Sequence, residues 1–278
     1  MNQLIDPLFV SLEELVSHVG DGMQVAVPAD YSGCAMAATY ALIRRGVRDL
    51  HLIGVPQTGL QADLLIGAGC VSTIETSAVS LGEHGLAPRF SAAVTSGAVA
   101  IKDSTCPAIH AGLLAAEKGV PFMPLRGVIG SDLVSHRDDW KVIGNPYAED
   151  DDPIMLFPAI RPDVALFHAP FADRTGNVWI GVRRELMSMA HAAKMTLVTV
   201  ESLTQDNLLA DDKMAAGTIP ALYVTSLAEV EHGAWPLGLR GHYSTDQAHL
   251  AQYVEMAATE EGFSEYLNRY VGAAHTGT

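Results

Sequence analysis

Met23–Val55 reads MQVAVPADYSGCAMAATYALIRRGVRDLHLIGV. Two short runs in it, Met23–Pro28 (MQVAVP) and Leu50–Val55 (LHLIGV), are mostly apolar and show no helical period. Between them, Gly33–Arg45 is rich in Ala and Met. It closes on Arg44-Arg45-Gly46, a cationic last turn followed by a glycine C-cap. Strand, helix and strand in that order, with strands that have lost the in/out alternation, predict a parallel sheet covered on both faces.

The pattern repeats outward from this unit. Ala62–Gly67 predicts a short helix, Thr73–Val79 and Ala98–Lys102 predict strands, and Pro107–Lys118 predicts a helix closed by Gly119. Val120–Leu125 predicts a further strand. In the second half, Asp163–Ala169 (DVALFHA), Met195–Glu201 (MTLVTVE) and Ala221–Ser226 (ALYVTS) predict strands, with a helix at Glu185–Lys194. Gly144–Pro158 breaks the rhythm with three prolines and the acidic run Glu149–Asp152, and reads as an irregular surface excursion. Thr245–Met256 and Glu260–Tyr270 read as two amphipathic helices. The expectation is an α/β chain, one domain over residues 1–278, with a C-terminal helical appendage at about 245–270.

Composition narrows the function classes. Apolar residues make up 49% of the 278, enough for a large core, and charged residues only 18%, which argues against disorder. A formal charge of −15 disfavours nucleic acid as a partner, and an anionic ligand would need local cations or helix N-termini. Cys34, Cys70 and Cys106 form no CxxC pair, and the histidines show no HxH or HxxxH spacing, so no metal site is expected. Met1–Asp6 lacks the basic and apolar regions of a leader, and no apolar run is long enough to span a membrane. A cytoplasmic location is the expectation.

Three segments, in order, resemble the α subunit of the glutaconate CoA-transferase family. They are Ala62–Gly69 with Ile74–Ser77 and Leu81–Pro88; Ala115–Gly127 with Gly130–Leu133; and Ala172–Asn177 with Ala192–Lys194 and Val198–Glu201. Gly233–Pro236 and Tyr243 add to the likeness, which runs from about Val10 to Tyr270. The resemblance implies an open, mainly parallel three-layer αβα sheet and a site shared with a β-type subunit, in an assembly of the α2β2 kind. It implies an acyl-CoA thioester as substrate and no resident cofactor. In the family's transferases a glutamate attacks the thioester, giving an anhydride and then an enzyme–CoA thioester. That glutamate normally belongs to the β subunit, so the catalytic residue is expected outside this chain.

Candidate residues each carry a second reading. Cys106, in Asp103–Pro107, sits at a strand-to-helix turn where free N–H groups favour a thiolate; it is equally readable as a small residue chosen for fit. Some hydrolytic members of the family carry a glutamate at the matching point. Arg126, before Gly127, follows a strand end and is placed to hold a substrate carboxylate, or to make a structural ion pair. Glu83 and His84 lie in a turn between Gly82 and Gly85, as a proton-moving pair or as a cap. Ser77 and Ser80 flank a strand end. Ser32 and Gly33, in the first βα turn, offer backbone N–H groups to an anion, although the glycine-rich loop usual there in the family is replaced by Pro28-Ala29-Asp30-Tyr31. Asp30 would repel a carboxylate unless protonated or paired. Asp173–Asn177 reads as a tight turn, with Gly176 supplying positive φ and Asp173 an Asx-type bond.

Three further readings compete. One keeps the fold but makes the chain part of an acyl-CoA decarboxylase or C–C hydrolase, to be separated by the residue at the partner's nucleophile position. Another is a small-ligand-sensing module of a transcription regulator, but a first strand near Met23 leaves no room for a helix-turn-helix. The third, a single-chain sugar-phosphate isomerase, needs a full catalytic set that these residues do not assemble.

Overall fold

The structure, a computed structural model, describes residues 8–272; the Met1–Asp6 stretch lies outside them. After α1 (Leu12–Ser17), the chain builds β1 (Gln24–Pro28), α2 (Met36–Arg45), β2 (Leu50–Val55), α3 (Leu60–Gly67), β3 (Val71–Thr76), α4 (Pro88–Ser96), β4 (Ala100–Asp103) and α5 (Cys106–Glu117). These four strands pair in sequence order, all parallel. Gly46 ends α2 in the left-handed conformation at φ 68°, as the Arg-Arg-Gly signature predicts.

The chain then leaves the main sheet. β5 (Phe122–Leu125), β6 (Lys141–Gly144) and β7 (Pro153–Pro158) form a separate antiparallel sheet in the order β5-β7-β6. This corrects two expectations. Val120–Leu125 is not a further parallel strand: Pro124 lacks a ladder donor, and β5 is an edge strand, exposed and half-buried by turns. Gly144–Pro158 is irregular only as far as Asp152; its last six residues are the middle strand of the small sheet. Met155 and Phe157 pack with Trp140 against Ala108 and Ala111 of α5.

The second half adds β8 (Val164–Asp173), β9 (Val178–Trp179), α6 (Arg184–Ala192), β10 (Met195–Thr204), α7 (Asp212–Ala215), β11 (Thr218–Ile219), β12 (Ser226–Glu229), α8 (Gln247–Ala257) and α9 (Glu260–Tyr266). β8 returns to lie beside β1, β10 follows on its other side, and β12 beside that. Seven parallel strands thus run β12-β10-β8-β1-β2-β3-β4, with β9 and β11 as a short antiparallel ribbon at the end of β8. The turn into β9 follows expectation, with Gly176 at φ 93° and the Thr175 N–H donating to Asp173 Oδ1 at 2.9 Å. The predicted strand at Ala221–Ser226 is displaced. Ala221–Tyr223 is a 3₁₀ turn after Pro220, Leu222 is largely exposed, and pairing starts only at Ser226.

Both faces of the sheet are covered, as its apolar strands require. Val25, Val27, Leu50 and Leu52 face a core with α1, α2, α3, α8 and α9, while Ala26, Ile53 and Val55 face one with α5 and α6. The C-terminal helices are part of the first layer rather than an appendage. Tyr253 and Tyr266 are fully buried, and the Tyr253 hydroxyl donates to buried Asp63 at 2.6 Å. Burying each ring stabilises by about 2 kcal/mol or more.

Candidate functional site

The strand order reverses between β1 and β8, and in an open parallel sheet the carboxyl ends at such a reversal border a ligand crevice. On one side the chain leaves β1 through Pro28–Gly33. Gly33 has φ +83°, and a Cβ there would come within 2.2 Å of the His168 carbonyl oxygen. The His168 N–H donates to the Gly33 carbonyl at 2.7 Å, so turn and strand are locked together. No larger residue fits this turn.

His168 is itself held from beneath. Its Nε2 lies 2.9 Å from Glu201 Oε2 and its Nδ1 lies 2.8 Å from the Thr199 hydroxyl. Glu201 also accepts from the His232 N–H at 2.6 Å and the Tyr243 hydroxyl at 3.1 Å. Burial lowers the pKa of His168 against the raising pull of Glu201. Burial raises that of Glu201, but its hydrogen bonds from His168 and its other donors outweigh this and hold it low. The pair is therefore a neutral imidazole donating through Nε2 to a carboxylate.

Three cavities meet at Tyr31, which is 52% exposed and carries the Arg183 guanidinium over its ring at 4.9 Å. The first, 410 Å³, lies toward β2 and β3 and is bordered by Asp30, Thr58, Ser80, Glu83 and His84. The second, 260 Å³, lies at the strand reversal and is bordered by Ser32, Gly33, His168, Trp179 and Arg240. The third, 390 Å³, is bordered by His110, Arg183, Arg184 and Glu185. Burial pushes the Asp30 carboxyl up to about 6, against the Leu60 N–H that donates to it at 3.0 Å.

The predicted residues fall into three groups. Ser32, Gly33, Ser80, Glu83 and His84 all border these cavities. The Ser32 hydroxyl already donates to Glu185, and His84 Nε2 lies 2.7 Å from Gln247 Oε1. Ser77 and Cys106 meet each other instead: the exposed Cys106 thiol is 3.2 Å from the Ser77 hydroxyl, which donates to the Pro56 carbonyl at 2.7 Å. Neither borders the three cavities. Arg126 and Gly127 follow β5 on the small sheet, so the place expected for them at a parallel strand end is not theirs. Arg126 pairs with Asp152 through both Nε, at 2.9 Å, and a terminal nitrogen. Among the described residues, no group of three or more His, Cys, Asp and Glu is arranged to hold a metal ion.

Tyr31, Thr58, Arg183, His168 and Glu201 belong to no motif that singles them out in the sequence. A histidine inside the apolar run DVALFHA was the available signal for one of them, since a polar side chain in a buried strand needs a partner.

An open parallel sheet with cavities gathered at its strand reversal, around a turn only glycine can make, defines an α/β protein built to bind a small ligand at its carboxyl edge. The coenzyme A transferase family model matches residues 9–227, and the chain belongs to that family. Among curated relatives, it is 32% identical to the corresponding subunit of 3-oxoadipate CoA-transferase from Pseudomonas knackmussii, over 94% of this chain and 93% of that one. It is 34% identical to an uncharacterized protein of Archaeoglobus fulgidus over 94% of this chain, but spans only 59% of that protein's length. Glutaconate CoA-transferase of Acidaminococcus fermentans superposes with a TM-score of 0.89 at 26% identity, covering 95% of this chain and 89% of that one. The decarboxylase AibA/AibB superposes with a TM-score of 0.81 at 28% identity, covering 94% and 98%. Among the described residues, no helix is long and apolar enough to cross a membrane.

Proposed function

We propose that the chain is the α-type subunit of a two-subunit cytoplasmic enzyme, of the α2β2 kind, that moves coenzyme A between an acyl-CoA thioester and a free organic acid. Acyl-CoA is the substrate and no cofactor is resident. The observation that carries this reading is the meeting of three cavities at Tyr31, at the strand reversal, in a chain of the coenzyme A transferase family.

The reaction divides between two chains. A carboxylate on the β-type partner attacks the thioester carbonyl, the CoA thiolate leaves, and an acyl–enzyme anhydride forms. The thiolate then attacks the enzyme's carbonyl in that anhydride, releasing the first acid and leaving an enzyme–CoA thioester. The incoming carboxylate runs the same two steps backwards. In this reading the turn Tyr31–Gly33 supplies backbone N–H groups for the developing oxyanion. The buried His168–Glu201 pair keeps that turn in place. The cationic cavity with Arg183 and Arg184 takes the anionic part of coenzyme A.

The test is CoA exchange by this chain co-expressed with its β-type partner. Tyr31→Ala should lower kcat/KM at least tenfold without changing thermal unfolding, since the side chain is half exposed. An unchanged kcat/KM would remove the site from this turn. Loss of carbon dioxide, or hydrolysis of a carbon–carbon bond, with no CoA exchange would replace the transferase by the decarboxylase or hydrolase reading.

A further inference from the structure

The lobe on the β2–β3 side of Tyr31 has a wall that CoA transfer alone does not require. Asp30 and Glu83 border it, and no lysine or arginine does. Its one imidazole, His84, is engaged by Gln247. Thr58 also borders it. The Thr58 side chain is 3% exposed, and its hydroxyl has no hydrogen-bond partner. The residue cannot turn away to find one, because its N–H donates to Ala78 and its carbonyl accepts from Ser80, both at 3.1 Å. A buried hydroxyl left in this way costs about 1–3 kcal/mol, which a ligand group of the right kind would recover.

Asp30 closes in on the same loop. Its Oδ2 accepts from the Leu60 N–H at 3.0 Å. A Cβ on Gly59, the residue after Thr58, would come within 2.2 Å of that oxygen, so the close approach depends on glycine. The lobe thus offers a carboxylate acceptor and a free hydroxyl from one short stretch of wall. A hydroxyl on the ligand answers both, donating to the carboxylate and accepting from threonine. A second carboxylate on the ligand would face Asp30 and Glu83 with no cation on the wall, a repulsive and desolvated arrangement.

We propose, building on the acyl-CoA reading above, that this lobe receives the acyl chain and selects hydroxylated monocarboxylic acyl groups over dicarboxylic ones, with Thr58 and Asp30 as the selecting residues. Specificity of this kind is strong because an analogue lacking the hydroxyl leaves the buried partners unpaired.

The test uses the reconstituted two-subunit complex with 2-, 3- and 4-hydroxybutyryl-CoA, butyryl-CoA and glutaryl-CoA. At least one hydroxybutyryl thioester should exceed both butyryl-CoA and glutaryl-CoA in kcat/KM by about tenfold, the worth of one good hydrogen bond. Thr58→Val should narrow the hydroxybutyryl-to-butyryl ratio by most of that factor, and Asp30→Asn should raise the rate with glutaryl-CoA. Thermal unfolding of each variant shows that it is folded. Glutaryl-CoA matching or exceeding every hydroxybutyryl thioester overturns the proposal while leaving acyl-CoA chemistry intact. If no thioester is turned over, it is the acyl-CoA reading that fails, and saturation-transfer NMR of the full chain with the free acids decides the lobe. Binding of a hydroxybutyrate in preference to butyrate and glutarate, lost in Thr58→Val, supports it; equal binding overturns it.

Discussion

Two regions of this molecule gather charge, and they do so in opposite ways. Beneath the small sheet, Arg137 donates to buried Glu75 at 2.7 Å and to both oxygens of Asp139, lies over the Trp140 ring at 4.4 Å, and is joined by Lys102 at 3.1 Å from Asp139. Cations and carboxylates are matched there, and Arg137 above all holds the Asp139 carboxyl down to about 2. Around the lobe beside Tyr31, Asp30 and Glu83 meet no lysine or arginine, the Thr58 hydroxyl is unmatched, and burial drives the Asp30 carboxyl up instead. Matched charge fixes the small sheet to the main one. Unmatched polarity, which a protein does not retain for stability, marks a surface awaiting a ligand.

The contrast predicts effects of opposite sign. The largest should come from Arg137→Ala, which leaves Glu75 and Asp139 short of their main partner. Urea unfolding should show a loss of about 3 kcal/mol. Asp139→Asn should cost up to about 2 kcal/mol at pH 7. Its folded pKa lies below the unfolded value of 3.8, so that contribution is present above 3.8 and disappears as pH falls through 2. Asp30→Asn should do the reverse and stabilise by about 1–2 kcal/mol at pH 7. Its folded pKa is raised, so the native state binds the proton more tightly, and wild-type stability falls as pH rises from about 4 to about 6. The gain from asparagine should therefore shrink as pH drops through that window. A destabilised Asp30→Asn at pH 7 would erase the distinction between the two regions. Smallest of all, Arg126→Ala should leave urea unfolding within measurement error, because its pair with Asp152 is solvent-exposed.

Much of the main sheet was legible because its signals are local. Leu50–Val55 is a strand at those limits, Gly46 is the C-cap its cationic turn announces, and Gly176 makes the turn its Asp-x-x-Gly context demands. Val120–Leu125 misled because an apolar run of that length does not say which sheet it joins; Pro124 at an edge was the discriminating residue. Ala221–Ser226 misled because its apolar residues lie partly on the surface. The candidate site was legible where the chain itself turns, at Ser32–Gly33 and Gly82–Gly85. It was not legible where partners come from distant segments. His168 and Glu201 are 33 positions apart and meet only because Thr199 stands opposite His168 across the β8–β10 register. Arg183 reaches Tyr31 from across the strand reversal, and Thr58 is distinguished by a missing partner, which no sequence pattern records.

The central claim is that this chain forms one side of a site completed by a second, β-type chain. Measuring CoA exchange between an acyl-CoA and a free acid by the purified chain alone, and again after adding its β-type partner, tests it directly. The account predicts no exchange by the chain alone and turnover on mixing. Robust exchange by the pure single chain would contradict it.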